Sequence, residues 1–125
     1  MLIDTDVLIW YLRGNIKAKN VLDKTSSLTI SDVTFIELVQ GVRNKEELRR
    51  IKSFLNNAQI HSLPITAQVS NKACFLIETY SLSHNLRLAD ALIAATADSY
   101  GEILLTGNLN DYKMISSLRL KKFTP

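Results

Sequence analysis

The sequence predicts an α/β fold: a central, mostly parallel sheet of about five strands flanked by helices. Three observations carry this expectation. Short apolar runs of β type alternate with longer helical patterns from end to end. Such alternation implies crossover helices between parallel strands, packed on both faces of one sheet. The length of 125 residues fits one domain, residues 1–125, and leaves little room for a second. With 46% hydrophobic and 22% charged residues, there is enough apolar material for a core, so whole-chain disorder is excluded. Only 4 glycines and 2 prolines exclude a collagen-like or linker-rich chain.

The elements follow in order. Leu2-Ile3 reads as a first strand ending at Asp4. Val7 to Leu12 reads as a helix stopped by Gly14 and Asn15, with a further short helix over Lys17 to Leu22. Leu28-Thr29-Ile30 is the second strand, and Thr34 to Val42 is helical. Asn44 is an N-cap residue followed by Glu46 and Glu47, with Arg49, Arg50 and Lys52 later, a charge order that suits the helix dipole. Gln59 to Leu63 is the third strand, ended by Pro64. Thr66 caps a long helix through about Leu82, and Ser83-His84-Asn85 forms a loop. Asp90 to Tyr100 is a small-residue helix closed by Gly101. Ile103 to Thr106 is the fourth strand, and Leu120 to Phe123 a short fifth.

The lone cysteine, Cys74, rules out an intrachain disulfide and a cysteine-based zinc site. Within Ala73-Cys74-Phe75-Leu76-Ile77 it is expected to be a small buried apolar residue. No apolar stretch reaches the ~18 residues of a membrane span. Acidic and polar residues interrupt the start of the chain, which argues against a signal peptide. The expected setting is the cytoplasm. Fifteen Lys and Arg against twelve Asp and Glu leave a net charge of +3. The pI of about 9.1 is a modest sign of tolerance for polyanions.

In parallel sheets, sites form at the carboxyl ends of the strands. Asp4 follows strand one, Glu37 lies in the first turn of the helix after strand two, and Asp90 lies near the start of the helix before strand four. Asp111 lies just beyond strand four. Each has an ordinary reading. Asp4 can cap the helix near Val7; Thr34-x-x-Glu37 is a capping-box pattern. Asp90 suits a helix dipole and Asp111 a turn. Together, four carboxylates at one sheet edge repel each other unless a cation joins them. Hard oxygen donors without His or Cys point to Mg²⁺ or Mn²⁺. Two such ions about 3.5–4 Å apart suit phosphodiester hydrolysis.

At these residues the sequence resembles the PIN-domain nucleases, and within them the compact VapC toxins of toxin–antitoxin pairs. The segments are Leu2-Ile3-Asp4-Thr5-Asp6-Val7-Leu8-Ile9, Ser31-x-x-Thr34-x-x-Glu37-Leu38-x-x-Gly41, Leu88-Ala89-Asp90-Ala91-Leu92-Ile93-Ala94-Ala95-Thr96-Ala97, and Leu105-Thr106-Gly107-Asn108-x-x-Asp111-Tyr112. Their order and spacing match across the chain. The resemblance implies a PIN fold and a metal-dependent endoribonuclease. It places Asp4, Glu37, Asp90 and Asp111 as catalytic acids, with Asp4 and Asp90 as direct metal ligands. Glu37 would act on a water, and Asp111 would hold a second metal or its waters. Asp6, Thr106, Asn108 and Arg87 would support the acids or position substrate. The implied chemistry is in-line attack by water, leaving a 5′-phosphate and a 3′-hydroxyl.

The resemblance also implies an RNA substrate (tRNA is one family-level expectation), a small VapB-like antitoxin, and a homodimer. Arg13, Arg43, Lys45, Arg87 and Lys113 are candidate phosphate contacts, and Ile36, Val39, Val42, Phe35, Phe54 and Leu55 candidate apolar contacts or core. Two departures stand out. Gly107 takes a position where many relatives carry a basic residue, and Tyr112 replaces a usual Phe on an apolar packing position. His61 and His84 are read as structural or exposed. The alternative is a PIN-domain RNA-processing nuclease, or an inactive RNA-binding module, without an antitoxin. An Asp-x-Asp phosphatase of the haloacid-dehalogenase type fits poorly, since Leu8 stands where Thr or Val is expected. A receiver domain fits poorly too, since Leu63-Pro64-Ile65-Thr66 has no Asp.

Overall fold

The structure, a computed structural model, describes residues 1–125. Five short strands, β1 (Leu2–Ile3), β2 (Thr29–Ser31), β3 (His61–Leu63), β4 (Leu104–Thr106) and β5 (Leu120–Lys122), form one sheet in the order β3-β2-β1-β4-β5. Every neighbouring pair is parallel, so all carboxyl ends lie along one edge. Six helices cover the sheet: α1 (Thr5–Leu12), α2 (Ile16–Lys24), α3 (Asp32–Gln40), α4 (Lys45–Asn57), α5 (Ala67–His84) and α6 (Leu88–Ser99).

The alternation of side chains along a strand divides the core in two. Leu2 and Leu104 point to one face, against Val69, Ala73 and Leu76 of α5 and Ala91, Ala94 and Ala95 of α6. Ile3, Ile30 and Leu105 point to the other, against Val7 and Leu8 of α1, Leu38 of α3 and Ile51 and Leu55 of α4. The alanine-rich face of α6 lets that helix lie close to the sheet, which brings the start of α6 beside the end of β1.

Several boundaries differ from the sequence reading. Helix α1 begins at Thr5 rather than Val7, because the Asp4 side chain caps it directly from the strand end. Helix α5 runs through His84, so Ser83 and His84 are helical; the chain turns at Asn85, whose φ of 55° is left-handed. Helix α3 is capped by Ser31, whose hydroxyl accepts from the Val33 N–H, so the capping-box reading of Thr34 and Glu37 fails. Cys74 is exposed, not buried. Helix α5 buries the stripe Val69, Ala73 and Leu76, and position 74 lies one residue off that stripe, on the solvent side. Of the apolar set on α3 and α4, Ile36 is exposed, Val39 half-buried and Leu55 buried. Phe54 stacks on Tyr11 with ring centroids 4.6 Å apart. No helix is long and apolar enough to cross a membrane.

Candidate active site

The central strands β1 and β4 end side by side, and the site grows from those two ends. Asp4 is the first residue after β1. Its backbone N–H donates to the Leu105 carbonyl at 2.9 Å, which locks it into the sheet edge. The residue is 5% exposed, and its carboxylate accepts three hydrogen bonds. Oδ1 accepts from the Thr5 N–H at 2.8 Å. Oδ2 accepts from the Thr106 hydroxyl at 2.8 Å and the Tyr112 hydroxyl at 3.0 Å. Burial, followed by the negative charge of Asp6, pushes the Asp4 carboxyl up to about 6 from its ordinary 3.8, against the pull of those hydrogen bonds.

Asp90, in the first turn of α6, stands across from Asp4. The Tyr112 hydroxyl lies 3.3 Å from its Oδ1, so one buried phenol spans both acids. Burial and the charges of Asp111, Glu37 and Asp6 raise the Asp90 carboxyl. These three charges act on Asp90, and Asp6 also acts on Asp4, so the five acids share one electrostatic neighbourhood.

Glu37 is exposed, one turn into α3, and is tied to the site by Thr5. The Thr5 hydroxyl lies 2.7 Å from Glu37 Oε1 and 3.0 Å from the Thr34 hydroxyl. Asp111 is exposed, at the end of a 3₁₀ turn (Leu109–Asp111) beyond β4. Its charge contributes to the raised carboxyls of Asp6 and Asp90.

Asp6 pins the loop after β4. Its Oδ2 accepts from the Gly107 N–H at 2.9 Å, with the Asn108 amide at 3.4 Å. Its Oδ1 is buried and has no partner. Asn108 closes the loop by donating its backbone N–H to the Thr106 hydroxyl at 3.0 Å. The glycine at 107 has a steric cause: an added Cβ would lie 2.5 Å from Asp6 Oδ2. A basic side chain there and the present Asp6 position exclude one another. Gly107→Ala is expected to cost about 1 kcal/mol by breaking the Asp6 contact, and clearly less in an Asp6→Ser background. Chemical denaturation of the four proteins in that cycle measures the coupling.

The structure therefore brings Asp4, Asp6, Asp90, Thr106 and Asn108 into one hydrogen-bonded cluster, with Glu37 attached through Thr5 and Asp111 facing it. It does not join Arg87 to the cluster. That side chain is exposed at the cap position of α6, with Asn85 at 3.4 Å. His61 and His84 bond none of these residues. Thr5, Gly107 and the hydroxyl of Tyr112 are the additions. For Tyr112 the signal was a polar atom on an otherwise apolar position beside Asp111.

Nothing within the chain neutralises this charge. The five ion pairs are Met1–Glu102, Lys19–Asp23, Arg43–Glu47, Arg50–Glu46 and Lys72–Asp98, and none includes a site acid. The donors are all oxygen, two carboxylates face one hydroxyl, and one buried carboxylate oxygen is orphaned. That set fits a small hard cation. No three acidic or imidazole groups are assembled as a closed cage, and Mg²⁺ requires none, since it keeps several waters and uses one or two carboxylates. Beside Glu37 runs a cleft of about 570 Å³ between α1, α3 and α4, lined by Ile9, Arg13, Val42 and Arg43 among others.

Dispersed, unneutralised acids gathered at the carboxyl edge of a parallel sheet define an α/β domain with an acidic site, and comparison with known proteins gives its family. The PIN domain profile matches residues 1–114, and the chain belongs to the PIN-domain family. It is 36% identical over 123 residues to Ribonuclease VapC10 of Mycobacterium tuberculosis, covering 95% of this chain and 90% of that protein. It is 32% identical over 126 residues to Ribonuclease VapC1 of Rickettsia felis, covering 96% and 93%. Among solved structures it is similar to a toxin–antitoxin complex from Klebsiella pneumoniae, with a TM-score of 0.79 at 26% identity over 94% of this chain and 93% of that one. The fold also matches DNA-bound VapBC from Salmonella typhimurium, with a TM-score of 0.84 at 20% identity over 97% and 96%.

Proposed function

We propose that residues 1–125 form one PIN domain acting as a metal-dependent endoribonuclease of the VapC type. It is a toxin that hydrolyses RNA phosphodiester bonds in the cytoplasm and inhibits translation and growth until a VapB-like antitoxin covers it. The observation that carries this reading is the cluster of acids at the carboxyl edge, buried or mutually facing and without a single ion-pair partner. The names of the related ribonucleases and the toxin–antitoxin neighbours support it.

In this reading Asp4 and Asp90 hold Mg²⁺ or Mn²⁺. Bound there, such an ion supplies Lewis-acid polarisation of a phosphoryl oxygen and eases loss of a proton from water. The protein's own groups do the rest. Thr5 fixes the Glu37 carboxylate at the open rim, where it orients the attacking water. Thr106 holds Asp4 in place, and Asp6 with Asn108 holds the loop that presents Asp111. Asp111 adds a further carboxylate for a second ion or its waters. Arg87 meets a phosphate from the far rim. Along the cleft beside Glu37, Arg43 and Arg50 are already paired with Glu47 and Glu46. Arg13 is the cleft cation left for a phosphate. The reading includes a homodimer.

Expression of the wild-type chain is expected to arrest growth of a bacterial host. Asp90→Asn is expected to relieve the arrest, and so is co-expression of a small reading frame found overlapping or abutting this one. Relief by Asp90→Asn without relief by any adjoining frame favours an RNA-processing nuclease that works without an antitoxin. No arrest by a folded, expressed wild-type protein contradicts the toxin reading.

A further inference from the structure

The Tyr112 hydroxyl has a consequence for which metal the site accepts. The ring is 0% exposed, packed in the core cluster with Ile115, Leu118 and Leu104. Packing therefore fixes where its oxygen sits, independently of the acids. That oxygen lies 3.0 Å from Asp4 Oδ2 and 3.3 Å from Asp90 Oδ1. A carboxylate oxygen offers about two acceptor positions. On Asp4 Oδ2, Thr106 takes one at 2.8 Å, and the single Tyr112 proton, nearer to this oxygen than to Asp90, takes the other. On Oδ1 only the Thr5 N–H is bonded, so one position stays open.

We propose that the Tyr112 hydroxyl is a positioning group that closes one oxygen of Asp4 to metal, sets the gap between Asp4 and Asp90, and so favours a small cation over a large one. Asp4 can then offer a cation one oxygen and not two. Ca²⁺ takes six to eight oxygens and commonly uses both oxygens of a carboxylate; Mg²⁺ keeps its waters and accepts single-oxygen ligation. A site that withholds the second oxygen weakens Ca²⁺ more than Mg²⁺. This inference rests on the reading that Asp4 and Asp90 bind the metal.

Tyr112→Phe removes the hydroxyl and keeps the buried ring. Titration calorimetry of the metal-free proteins with Mg²⁺, Mn²⁺ and Ca²⁺ separately reads binding without any RNA. The expected result is a Ca²⁺-to-Mg²⁺ affinity ratio about 10-fold higher in Tyr112→Phe than in wild type. Thr106→Val removes the other donor to the same oxygen and is expected to shift the ratio the same way. It decides the question if Tyr112→Phe does not fold, as judged by circular dichroism. An unchanged ratio in the folded variant, with binding intact, overturns this inference and leaves the metal site standing. No divalent binding by the wild type overturns both.

Discussion

Asp4→Asn is expected to lower RNA cleavage by about 10³-fold or more while making the metal-free protein more stable at pH 7. Both halves come from one carboxylate. Its negative charge is what a cation needs, and it is buried beside Asp6 with no cation of the chain to balance it. The amide keeps the Thr5 bond and reverses the other two, at the cost of an acceptor for the buried Thr106 hydroxyl. Its oxygen accepts from the Thr5 N–H as Oδ1 does now, and its NH₂ donates to the Thr106 and Tyr112 hydroxyls. The Tyr112 proton is then free to serve Asp90 alone. The gain at pH 7 is about 1–3 kcal/mol, the cost of keeping a carboxyl ionised when burial has raised it to about 6. Paired cleavage and denaturation curves check this. An inactive Asp4→Asn protein that is also less stable assigns Asp4 a structural role only.

The second large effect is the response of the wild-type protein to pH and divalent metal. Asp4 holds its proton more tightly in the folded state than in the unfolded one. Its contribution to metal-free stability is therefore fully present below about pH 4 and is lost as pH rises through about 6. Asp6 and Asp90 shift in the same direction. Metal-free protein is expected to lose about 2 kcal/mol of stability between pH 4 and pH 7 through Asp4 alone, with Asp6 and Asp90 adding in the same direction, where an ordinary protein gains. Mg²⁺ or Mn²⁺ at 100 times its dissociation constant returns about 2.7 kcal/mol, and EDTA removes that gain. The metal gain is smaller at pH 5, where protons compete for the same oxygens. Thermal melts across that pH range, with metal and with EDTA, read both slopes. A melting temperature that rises steadily from pH 4 to pH 7 in EDTA contradicts the assigned electrostatics.

The parts of this architecture that were legible in the sequence are those set by near neighbours in the chain. Leu2-Ile3 followed by Asp4 is a strand with an acid at its carboxyl end, and the parallel topology carries every such acid to one edge. The alanines after Asp90 announce a helix that packs close to the sheet. What the sequence hid depends on contacts between distant residues. The Tyr112 hydroxyl meets Asp4 across 108 positions, and Thr5 meets Glu37 across 32. A polar atom on a core residue counts as apolar in any periodicity. Gly107 reads as a missing basic residue until Asp6 is seen filling its space. Cys74 failed for a narrower reason. An apolar run in the middle of a surface helix crosses from the buried stripe to the solvent side within one residue. Phe75, next to it, is 63% exposed.

In the proposed function the uncompensated acids bind metal in order to cut RNA. The direct measurement is incubation of antitoxin-free protein with a total RNA pool, in Mg²⁺ or Mn²⁺ and in EDTA, beside Asp4→Asn, with the new ends sequenced. Discrete cuts bearing 5′-phosphate and 3′-hydroxyl ends are expected, present only with metal and with Asp4 intact. Cuts that persist in EDTA, or that Asp4→Asn makes at the wild-type rate, contradict that function.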